Sequence, residues 1–128
     1  MKKTIKILGT KYTIHMKVSE NKDHGLENRF GYCSFKGKRI VIADLNTIKS
    51  WESETDSAKS RQYCETLRHE LIHAYLAESG LWASSLQYDE SGWAMNEEMI
   101  DWIAIQFPKM YKTFSEVGCL GDVLEWKM

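Results

Sequence analysis

Asp56-Ser-Ala-Lys-Ser-Arg-Gln-Tyr-Cys-Glu-Thr-Leu-Arg-His-Glu-Leu-Ile-His-Ala-Tyr-Leu-Ala-Glu-Ser-Gly80 is the stretch that decides the architecture. Leu67, Leu71, Ala74 and Tyr75 recur at helical spacing, so one face of this segment is apolar. Asp56 or Ser57 can cap the first free amides, and Gly80 supplies a left-handed stop. The spacing predicts a long helix over 57–79. Upstream the period is two. Apolar and polar residues nearly alternate over 4–18 on both sides of Gly9-Thr10, which reads as a hairpin. Beyond a polar stretch, Arg29-Phe-Gly-Tyr-Cys-Ser-Phe and Arg39-Ile-Val-Ile-Ala flank Lys36-Gly37-Lys38, again strand, turn, strand. Strands first and helices after them predict an α+β fold, with an N-terminal antiparallel sheet packed on the long helix.

Downstream, Gly80 to Ala94 is rich in Ser, Gly and Trp without clear periodicity and reads as a loop crossing the molecule. A second helix is expected to start near Asn96, with Met99, Ile100, Ile103, Ala104 and Phe107 as its apolar face. Pro108 lacks an N–H, so it should end or kink that helix, with Lys109 to Glu116 resuming for a turn or two.

A chain of 128 residues with 43% hydrophobic and 27% charged residues has room for one core, so 1–128 reads as a single domain. The net charge of -1 provides no positive field for a phosphate backbone, and nucleic acid is not expected as a partner. Met1-Lys2-Lys3 resembles the start of a signal segment, but Lys6 interrupts the short apolar run after it. No stretch approaches the roughly 18 apolar residues that span a bilayer. Cys33, Cys64 and Cys119 form no C-x-x-C pair, so three reduced, partly buried thiols and a cytoplasmic address are expected.

Within the long helix stands His69-Glu70-Leu71-Ile72-His73. Residues four apart on a helix lie about 40° apart around the axis and about 6 Å along it, so both imidazoles can reach one ion. Glu70 projects at a neighbouring angle, able to hold a water beside that ion. Zinc is the metal expected, because it lowers the pKa of such a water to about 7, and Glu70 then serves as general base. The residues around the motif are uncharged apart from Arg68 and Glu70, as a helix buried beneath a metal site requires.

A catalytic zinc held by two histidines needs a third protein ligand. The second helix offers Asn96-Glu97-Glu98-Met99-Ile100-Asp101. H-E-x-x-H followed by N-E-x-x-x-D resembles the thermolysin-like gluzincins, and the short gap from His73 to Glu97 is similar to that of the small ImmA/IrrE-like and SprT-like zincins often encoded by phages. The resemblance covers roughly residues 29–107. It implies a minimal zincin-like fold, Glu97 as third ligand and Asp101 as the carboxylate that orients a histidine from outside the ligand set. Helical geometry also puts Glu97 and Asp101 on one face and turns Glu98 about 100° away, yet Glu98 remains the alternative.

The expected activity is that of a zinc metallopeptidase acting on a protein or peptide strand laid against the sheet edge in the 29–44 region. The alternative is a zinc-stabilised binding or regulatory module with negligible turnover. A SprT-like role at DNA–protein crosslinks ranks below both, since no Cys-rich ribbon is present. No helix-turn-helix is evident, so a repressor-cleaving role needs a separate partner chain. His15 and His24 read as surface or packing residues, and Trp82, Trp93 and Trp102 as core. Tyr75 and Tyr88 are candidates to hydrogen-bond an oxyanion, but spacing selects neither.

Overall fold

The computed structural model describes residues 1–84 and 92–121. Among these residues four strands come first: β1 (Lys2–Ile7), β2 (Thr10–Val18), β3 (Gly31–Ser34) and β4 (Arg39–Ala43). Three α-helices follow among them: α1 (Asp56–Glu78), the short α2 (Leu81–Ser84) and α3 (Glu97–Glu116). The α+β class is as expected. Among the described residues no helix is long and apolar enough to cross a membrane.

Both hairpins form, with the first turn at Leu8-Gly9, where both residues have positive φ. The sheet is mixed, however, and not antiparallel throughout. Its order is β1-β2-β4-β3, and β2 pairs with β4 in parallel. The reason is the bridge between β2 and β3, which contains two 3-10 turns. This bridge carries the chain across two strand spacings, about 10 Å, so β4 returns into the slot between β2 and β3. β3 is left at the edge. As a central strand, β4 is apolar on both faces, with Ile40, Val41, Ile42 and Ala43 all buried. Ile40 and Ile42 join Ile7, Tyr12, Ile14 and Ala74 in the core beneath α1. Val41 and Ala43 pack with Leu26 on the opposite face.

α1 is capped one residue earlier than expected, by the Thr55 side chain accepting from the Ala58 amide, and it ends before Gly80 at φ 85°. Thr66, Glu70 and Ala74, four apart, are its buried stripe against the sheet. Tyr75 is instead half exposed. β3 lies close along α1. A Cβ on Gly31 would come within 3.0 Å of the Thr66 side chain and the Val41 carbonyl, so a bulkier residue would push strand and helix apart.

α3 corrects one half of the expectation for Pro108, because the helix continues through it to Glu116 and does not end there. Proline frees the carbonyl four residues back. That carbonyl belongs to Ala104, which is buried, and the Arg68 Nε–H of α1 donates to it at 2.7 Å. A charged donor from the neighbouring helix thus replaces the missing backbone bond and ties α3 to α1 one residue from His69.

Candidate metal centre

α1 and α3 converge at their polar rims. His69 and His73 flank the buried stripe, their Nε2 atoms 3.2 Å apart. The N-terminus of α3 is fixed by Asn96, whose side chain accepts from the Met99 amide. This cap presents Glu97 in the first turn, with its two carboxylate oxygens 3.0 Å from His69 Nε2 and 3.1 Å from His73 Nε2. One turn on, Asp101 Oδ1 lies 2.7 Å from His69 Nδ1. Glu98 is exposed and lines no part of this site.

The two imidazole nitrogens, 3.2 Å apart, thus each face a different oxygen of the Glu97 carboxylate at 3.0–3.1 Å. A tetrahedral ion with nitrogen and oxygen ligands at about 2.0–2.1 Å holds its donors about 3.3 Å apart. The residues present fit such an ion if the donor atoms move apart by a few tenths of an ångström. Asp101 Oδ1 beside His69 Nδ1 suits the tautomer with its proton on Nδ1, which leaves the Nε2 lone pair facing His73 and Glu97. Burial, above all, holds His73 below the usual imidazole pKa, which favours the neutral ligand form. His69, Glu70 and His73 alone already satisfy the donor spacing of a metal-binding group.

Glu70 differs from these neighbours in being only 5% exposed. Burial chiefly, with the nearby Glu97 and Asp101 charges, pushes its carboxyl up to about 7, against the opposing pull of His69 and Arg29. A carboxyl so placed exchanges a proton near neutral pH. It lines a cavity of about 550 Å³ together with His69, His73 and Glu97, and β3 contributes the adjoining wall.

His15 lies half-buried in β2 and His24 is exposed in a 3-10 turn, both outside this site. Tyr75 lines a separate apolar groove between α1 and α3, and Tyr88 lies outside the described residues. The expectation that the tryptophans belong to the core fails for Trp93 and Trp102, 57% and 56% exposed, whereas Trp82 lines the metal-site cavity. All three cysteines are free, but Cys64 and Cys119 are exposed and only Cys33 is partly buried. Cys33 also faces the cavity, its thiol pushed up to about 12 mainly by burial. Sequence reasoning missed Arg29 and Phe35 as cavity residues, since their place depends on where β3 meets α1.

Comparison with protein-family models finds no match, and searches of curated proteins and of solved structures return no significant similarity.

Proposed function

We propose that this chain is a zinc-dependent peptidase of minimal zincin-like build, in which His69, His73 and Glu97 hold the metal and Glu70 is the general base. The observation that carries the reading is the convergence of two imidazoles and the Glu97 carboxylate beside a buried carboxyl, in a cavity walled by an edge strand. Bound there, zinc supplies a Lewis acid for the scissile carbonyl and acidifies the attacking water. Glu70 takes the proton from that water and returns it to the leaving amine. Asp101 fixes the ring of His69 through Nδ1–H. Among the described residues β3 pairs with β4 alone, and the backbone of a protein or peptide substrate completes its other edge as an added strand. The free cysteines are in keeping with a reducing cytoplasm as the place of action.

The test is metal analysis of protein purified without chelators, followed by cleavage of an unbiased peptide library by wild type and Glu70→Gln. We expect one zinc per chain in both proteins and a loss of on the order of 100-fold or more in hydrolysis for the variant. Full activity of Glu70→Gln with zinc retained would refute the peptidase assignment and leave a zinc-held scaffold.

A further inference from the structure

β3 and α1 run side by side in the same direction. Gly31 lies against Thr66, Cys33 packs on the core cluster that α1 covers, and Phe35 meets Trp82, just beyond α1, with ring centroids 5.0 Å apart. The metal-site histidines at 69 and 73 thus sit beside the middle of β3. The ends of the groove differ in chemistry. At one end is the aromatic pair Phe35 and Trp82, and at the other is Arg29, the one permanent cation among the described residues lining the cavity. The Arg29 side chain is exposed, and no carboxylate pairs with it among the described residues. Its charge nevertheless reaches Glu70. Arg29 and Phe35 lie just beyond the two ends of β3, whose four residues span about 13 Å, room for a peptide of four or more residues with its middle at the metal.

We infer that Arg29 is a specificity-determining residue, which captures a carboxylate on the C-terminal side of the scissile bond while Phe35 and Trp82 receive an apolar side chain on the N-terminal side. The inference rests on the peptidase reading and names its substrate class. Antiparallel addition to the β3 edge, the commoner pairing, sets the peptide's C-terminal side against Arg29. A planar guanidinium without a partner matches a carboxylate in two parallel hydrogen bonds. That carboxylate belongs either to an acidic side chain or to a free C-terminus.

The experiment uses zinc-loaded protein and peptides carrying glutamate, glutamine or lysine at each position on either side of the cleaved bond, each with a free or amidated C-terminus. Cleavage gives kcat/KM, and fluorescence anisotropy gives binding to the zinc-loaded Glu70→Gln protein, which reads recognition without turnover. Expected are at least a tenfold preference for glutamate over glutamine on the C-terminal side, its loss in Arg29→Gln, and a switch toward lysine in Arg29→Glu. Zinc content and melting temperature should stay at wild-type values in both variants. Preference retained on amidation identifies an acidic side chain as the source, and preference confined to free acids identifies the terminus. Cleavage with no charge preference, with preference on the N-terminal side, or with preference intact in Arg29→Gln overturns the inference and spares the peptidase reading. Absence of cleavage for every peptide sinks the peptidase reading. Binding to the Glu70→Gln protein then decides Arg29 by itself, with charge-independent or absent binding overturning its role.

Discussion

Replacing Asp101 by alanine removes the oxygen that holds His69 Nδ1–H at 2.7 Å. The imidazole then gains freedom to rotate and to adopt the tautomer with Nε2 protonated, which cannot bind the metal. Partners of this kind are worth roughly 10- to 100-fold in metal affinity. Asp101 is 61% exposed, so water competes for the ring N–H and screens the carboxylate, which favours the lower end. We expect a loss of about tenfold, or about 1.4 kcal/mol, in Asp101→Ala. Asp101→Asn keeps an acceptor oxygen and should lose less. The assay is competition for zinc against a chromophoric chelator at fixed pH and ionic strength, with metal-free circular dichroism as a check on folding. An Asp101→Ala affinity within twofold of wild type, in folded protein, would refute the claim that this contact orients His69.

The remaining predictions concern the ligand set, the helix contact and the acid limb of stability. Glu97→Ala should weaken zinc binding far more than Glu98→Ala, which should stay within a few fold of wild type in the same competition assay; the reverse order would displace the α3 register by one residue. Arg68→Met should cost about 1.5 kcal/mol in urea unfolding, the lower range for a hydrogen bond from a charged donor, and less in a Pro108→Ala background, where the new amide can serve the Ala104 carbonyl. Equal costs in the two backgrounds would sever the link between Arg68 and Pro108. Glu78 accepts from Lys38 Nζ at 2.6 Å and Tyr12 Oη at 2.8 Å, and the Lys38 hydrogen bond foremost holds its carboxyl below the ordinary value of 4.5. A depressed carboxylate pKa adds stability that is whole above the ordinary pKa and is lost as pH falls through the folded one. In metal-free protein, Glu78→Gln should therefore lower stability at neutral pH and flatten its decline below about pH 4.5; an unchanged acid limb in denaturant titrations counts against this.

Much of the fold and site was legible in local pattern. The strands, both hairpins, the long helix and its glycine stop depend on residues within a few positions of one another, and period and turn chemistry report these directly. The same locality explains why His69 and His73 converge, since one helix carries both. It also explains why Asp101 follows Glu97 on the facing helix, which Asn96 caps. The continuous apolar run Ile40-Val41-Ile42-Ala43, read only as a hairpin strand, also carried the mark of a strand covered on both faces, a local signal of β4's central place that the antiparallel reading left unused.

Tertiary structure decided the rest, because pairing between distant segments leaves no periodic trace in either of them. The parallel join of β2 to β4 depends on a bridge whose path is set by packing, and that join makes β3 the edge strand. The survival of α3 through Pro108 depends on Arg68, 40 positions earlier, reaching the carbonyl of Ala104. The approach of α3 to α1 selected Glu97 over Glu98 as the carboxylate beside the histidines. It was the position of β3 along α1 that put Arg29 and Phe35 at opposite ends of one cavity. Residue type and spacing thus set which groups share a helix face, while burial of the sheet against α1 set which faces meet.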